Sequence, residues 1–108
     1  PHNWANVLLT KFNLLQFDQE FFHALAQSRL LGSSEMGVNR TVAFIGLATW
    51  QRHWPDDVRA QFQQSLLDLH AASPDLAASI AKTTRSTGLY CLWTKDNPTQ
   101  HYGCPRTP

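Results

Sequence analysis

Six consecutive residues, Trp50-Gln51-Arg52-His53-Trp54-Pro55, put two indoles, a guanidinium and an imidazole in one short segment. Tryptophan and arginine are frequent anchors of protein interfaces, and flat rings beside polar groups also suit carbohydrate stacking. Trp50, Arg52, His53 and Trp54 are therefore the candidate binding residues. The same segment has a structural reading. An apolar Trp54 just ahead of a proline-led helix can act as a hydrophobic staple onto that helix, and Trp50 can close the core. A second group is Cys91, His101 and Cys104. The turn-rich chain between the cysteines (Asn97-Pro98, Gly103) can bring the thiols together, and a disulfide there would contribute about 3 kcal/mol by the chain-entropy argument. His-x-x-Cys also offers two zinc ligands on one turn, but structural zinc takes four, and only His70 or Asp96 stand as remote candidates. One buried thiol and one free tail thiol is the remaining reading.

Catalysis finds little support. Nucleophilic chemistry needs Cys or Ser beside a base and an orienting acid. Glu20 and His23 share a helix face, yet no nucleophile elbow or glycine-rich loop accompanies them. A solvated surface pair explains them. Asp56 and Asp57 suit the positive end of a helix better than acid–base work. The chain reads as a non-enzyme, with no cofactor and no metal site expected.

Composition bounds the rest. The 108 residues are enough for one modest core, and 43% hydrophobic content fits a folded domain. The 16% charged fraction lies below the roughly 25% of average soluble domains, so neutral polar side chains must cover much of the surface. Net charge is +1, and Arg40, Arg52, Arg59, Lys82 and Arg85 form no run. Nucleic acid, which is held by a basic face, is not an expected partner. No stretch approaches the ~18 apolar residues of a membrane span. The chain opens on Pro1-His2-Asn3-Trp4 without a leader pattern and is expected to be a fragment or a processed product.

The elements that would position these groups are helices. Trp4, Leu8, Phe12 and Leu15 recur at helical spacing over residues 3 to 16. Asp18 is a good N-cap for a second helix ending near Leu31, with Gly32 as its left-handed terminator. Ser33 or Ser34 is expected to cap a third helix over about 35 to 50. This is the least polar segment and the expected centre of the core. Gly46 in its middle implies close approach of a neighbour. Pro55 followed by two aspartates reads as the first position of a fourth helix. Ser73-Pro74-Asp75 opens a fifth, ended by or near Gly88, and residues 89 to 93 (LYCLW) are expected to pack back as a helical turn.

The reading is all-α, with about five helices as antiparallel hairpins over residues 1–93, then an irregular tail over 94–108. Leu8, Phe12, Leu25 and Ser28 fall where a tetratricopeptide repeat wants large, large, large and small residues. Leu9 and Phe21 depart from that pattern, and Ser33 stands where its closing proline would. ALAQSRLLGSSE, then VNRTVAFIGLATW, then a proline-led helix, resembles the C-terminal part of tetratricopeptide-containing accessory proteins of bacterial extracellular-polysaccharide biosynthesis. That resemblance implies a helical-repeat scaffold in the periplasm, with protein partners in an envelope assembly and no membrane insertion of its own. The disulfide reading agrees, because disulfides persist in oxidising compartments. The alternative is a small helical ligand-binding or sensor domain of a membrane protein, with a pocket between helices three and four.

Overall fold

The computed structural model describes residues 2–95 and 104. Six α-helices follow one another: α1 (His2–Asn13), α2 (Gln19–Gly32), α3 (Met36–Ala48), α4 (Asp56–Ala72), α5 (Pro74–Thr83) and α6 (Thr87–Trp93). A 3-10 turn, Trp50–Arg52, joins α3 to α4. There is no strand among the described residues, and none of their helices is long and apolar enough to cross a membrane. Short connections fold consecutive helices back on one another, and α1, α3 and α5 also meet side by side, while α2 meets α4. The molecule is elongated, 44 × 26 × 22 Å.

The start signals divide into those the chain uses and those it replaces. Asp18 Oδ1 accepts from the Phe21 N–H at 3.1 Å, a side-chain cap on α2. Pro74 occupies the first turn of α5, where its missing N–H costs nothing. Pro55, expected at the first helical position, is instead the N-cap of α4, and its carbonyl accepts from the Arg59 N–H. Neither Ser33 nor Ser34 caps α3. Glu35 takes the N-cap position without a side-chain cap bond, and the Ser33 carbonyl is held by the Asn39 amide at 2.8 Å. Gly32 is not the residue past the end of α2: it is buried in the last turn, and Ser33 after it keeps right-handed helical angles. The chain reversal between α5 and α6 falls on Arg85, with φ +57°, rather than on Gly88, which lies exposed within α6. LYCLW is the body of that sixth helix. Of the tail, residues 96–103 and 105–108 lie outside the described residues.

Packing splits the interior into two clusters joined across α3 and α4. The first gathers Leu8, Phe21, Leu25, Val42, Ile45, Trp54 and Phe62; the second gathers Ala43, Leu47, Leu66, Leu69, Ala77, Ala81 and Tyr90. Alternate positions of α3 feed both, which is why α3 is the most apolar segment. Gly46 faces α4, and a Cβ there would overlap Cβ, Cγ and Cδ1 of Phe62. Here the missing side chain is the reason the two helices can approach.

Candidate functional site

The segment from Trp50 to Pro55 lies at the junction of α3 and α4, and its four candidate residues do not converge. Trp54 turns inward. It is 8% exposed, and its indole lies within 5.3–6.3 Å of the Phe17, Phe21, Phe22 and Phe62 rings. Its only polar atom is satisfied: the Trp54 indole N–H donates to Thr49 Oγ1 at 3.0 Å, and the Thr49 hydroxyl donates to the Ile45 carbonyl at 2.7 Å. A buried indole with a partnered N–H is a core group. It meets α4 at Phe62 rather than at Arg59, the fourth helical position that a staple would use, and the larger part of its cage comes from Phe17 and from α2.

Trp50 turns the other way. Its ring stands edge-on to Trp93 of α6 at 4.8 Å, and the Arg59 guanidinium lies 4.9 Å from the same ring. Trp50 thus ties the turn to the last helix. His53 is exposed and adopts left-handed angles, φ 58° and ψ 53°. Non-glycine residues hold this conformation at a cost of roughly 1–3 kcal/mol. The reversal it makes lets Trp54 enter the core while Arg52 stays outside.

Arg52 is exposed, yet it is not loose. Its Cζ sits 4.3 Å from the Phe17 ring centroid and 5.6 Å from that of Trp54. Such cation–π contacts fix the plane of the guanidinium while leaving its N–H edge available. Among the described residues, no carbonyl or carboxylate accepts a hydrogen bond from that edge. The nearby acids Asp56 and Asp57 form no ion pair with it. Arg52 thus presents hydrogen-bonding capacity on a ring support.

The cysteine group resolves to a disulfide. Cys91 and Cys104 are bonded, with Cα atoms 5.5 Å apart and 13 residues between them in sequence. Both sulfurs are thereby removed from thiolate chemistry, which takes away the zinc reading's two best ligands. His101 and Asp96 lie outside the described residues. His70 is fully buried, and its Nδ1 shares a hydrogen bond of 2.8 Å with the Tyr90 hydroxyl across the α4–α6 contact. Glu20 and His23 do not form a pair: Glu20 meets Lys11 at 3.1 Å, while His23 packs against the edge of Trp4.

One polar cluster left no signal in the sequence. Arg29 of α2 donates to Asn39 Oδ1 of α3 at 2.9 Å, and to Ser65 Oγ and Asp68 Oδ2 of α4 at 3.0 Å each. Gln64 donates to the second Asp68 oxygen. These bonds tie α2, α3 and α4 together at one point, and Arg29 is half-buried among them.

Open grooves cross several helix boundaries. One, of about 410 Å³, runs over α1 and the start of α2, with Val7, Thr10, Lys11 and Glu20 in its lining. Another, of about 210 Å³, runs over α1, α3 and α5 and is lined by Leu9, Arg40, Thr41, Phe44 and Ile80. A third, of about 290 Å³, lies between α2 and α4. No protein-family model matches the chain, and comparison with curated proteins and with solved structures likewise finds no match.

Proposed function

We propose that the chain is a non-enzymatic, protein-binding scaffold domain built as an array of helical hairpins, belonging to a periplasmic accessory protein of polysaccharide assembly. The observation that supports it best is the side-by-side row of α1, α3 and α5 carrying one shared, open, largely apolar groove. Stacked hairpins generate such multi-helix surfaces, and these bind extended partners. A catalytic or small-molecule site would instead be a deeper recess with a few converging polar groups. The sensor alternative asks for a pocket between α3 and α4, and at the middle of that seam Gly46 is filled by Phe62. The extracytoplasmic part of the reading leans on the Cys91–Cys104 bond. The polysaccharide part leans on the resemblance, which spans about residues 5 to 92.

The test is affinity purification of the full-length protein from its own cells after crosslinking. Recovery of envelope or polysaccharide-synthesis components is expected, with loss of those components when Arg40 and Thr41 in the groove are both changed to glutamate. Recovery of none would sink the polysaccharide reading.

A further inference from the structure

We propose that the α1–α3–α5 groove binds an extended segment of a protein partner that carries an aliphatic side chain next to a carboxylate, and that Arg40 selects the acid. The inference rests on the protein-binding reading above and names the chemistry of its ligand. Leu9, Phe44 and Ile80, one from each helix, form the apolar lining. Phe12 of α1 braces Phe44 edge-on, with ring centroids 5.9 Å apart, so this wall is in place before a ligand arrives. Arg40 is the one charged residue of the lining. It is exposed, and among the described residues it forms no hydrogen bond or ion pair. Its N–H fork therefore remains for a carboxylate.

The surrounding charge has the sign that such a ligand needs. Neither α1 nor α3 contains an acidic residue, and α5 contains only Asp75, in its first turn. Glu35, the N-cap of α3, is not in the groove lining. Glu20, Asp56, Asp57 and Asp68 sit instead on α2 and α4, the other helix row. An approaching acid thus meets Arg40 without a competing carboxylate in the lining. The larger groove over α1 and α2 differs, because its Lys11 is already paired with Asp18 and Glu20. Next to Arg40, the Thr41 hydroxyl donates to the Gly37 carbonyl at 3.1 Å, so toward a ligand it can only accept. A peptide backbone N–H meets that need. A sugar ring fits the lining less well, since its hydroxyls would lose water against Leu9 and Ile80 without regaining partners.

The probe is an acetylated, amidated hexapeptide with two leucines flanked by glutamates, so that its only carboxylates are on side chains. It is titrated into the 15N-labelled chain. Saturable shifts are expected at the Arg40 Nε–H and at the backbone amides of Leu9, Thr41, Phe44 and Ile80. Arg40→Gln should weaken binding about threefold, as loss of one exposed charge pair does, and Arg40→Lys should recover part of the loss. Higher salt should weaken the wild type. Arg40→Glu should reverse the preference: the glutamate peptide no longer saturates, and the same peptide with lysines for glutamates does. Because Arg40 is exposed, the rest of the spectrum should stay unchanged in these variants, which separates loss of binding from loss of fold. Absence of saturable shifts, or equal affinity of the glutamate peptide for the wild type and the Arg40→Glu protein, would overturn the proposal. The same signals moving with protein concentration alone would give the groove to a second copy of the chain and overturn it too. Polygalacturonate shifting these signals where the peptide does not would overturn the peptide assignment in favour of an acidic glycan. Saturable, Arg40-dependent peptide binding without any envelope component in the purification would leave this ligand standing while the polysaccharide reading fails.

Discussion

Trp54 and Tyr90 are both large aromatic side chains buried on either side of the α3–α4 pair, but their surroundings differ in kind. Around Trp54, four other aromatic rings fill the space, and one indole–hydroxyl bond settles the only polar atom. Around Tyr90, the neighbours are mostly small or aliphatic, with Ala43, Ala77 and Ala81 among them. There the structure adds what the side chains lack: a buried Tyr90–His70 hydrogen bond and the Cys91–Cys104 crosslink, whose sulfurs pack onto the same cluster. Where aromatic volume is available, packing suffices. Where small and aliphatic side chains predominate, specific bonds add to the packing.

The largest effect should come from breaking the aromatic side. Trp54→Ala is expected to cost about 3–5 kcal/mol, the range for deleting a large core aromatic, read by urea unfolding. A loss under about 1 kcal/mol would mean that Trp54 belongs to the surface. Next comes the crosslink. Intact-mass measurement without reductant should show the two-hydrogen deficit of the Cys91–Cys104 bond. Reduction should then lower stability by about 3 kcal/mol, and free thiols after expression in an oxidising compartment would contradict the bond. Tyr90→Phe keeps the ring and removes the hydroxyl, leaving His70 Nδ1 without that partner; a cost of about 1–3 kcal/mol is expected from calorimetry.

The smallest effect belongs to the exposed cap of α2. Lys11, as hydrogen-bond donor, and then the Phe21 N–H hold the Asp18 carboxyl below its ordinary 3.8. Asp18, and after it Glu20, push the Lys11 ammonium above its ordinary 10.5. A depressed carboxylate stabilises the fold above pH 3.8 and loses that contribution as pH falls through its lowered folded value. The raised lysine stabilises below pH 10.5 and loses its share as pH rises through its folded value. Asp18→Asn should therefore slightly lower the neutral region of a melting-temperature profile and leave its acid end unchanged, so that the acid limb flattens. An unaltered acid limb would remove Asp18 from this role.

This contrast also marks what the sequence could reveal. Asp18, Pro74 and Gly46 act through local rules or a single steric demand, and each was readable from its neighbours. The opening of α3 was not, because Asn39 captures the Ser33 carbonyl from within the helix and the serines cap nothing. The Arg29–Asn39–Ser65–Asp68 cluster joins positions up to 39 residues apart through ordinary surface residue types, so no spacing announces it. Trp50, Arg52, His53 and Trp54 were recognisable as a group. That Trp54 would be buried while Arg52 stayed outside depends on the left-handed His53, which side-chain type alone does not encode. The disulfide was legible as a possibility from composition and turn residues, and its neighbour His70–Tyr90 was not.

The central claim is that two regions, built differently, stabilise one fold independently across α3 and α4. A double-mutant cycle tests it directly, combining the mild Trp54→Phe with Cys91→Ser/Cys104→Ser and reading unfolding free energies in urea. Independent regions predict that the two losses add to within about 0.5 kcal/mol. An interaction energy above about 1 kcal/mol would contradict the claim, and would point to coupling through the Trp50–Trp93 contact that bridges the turn and α6.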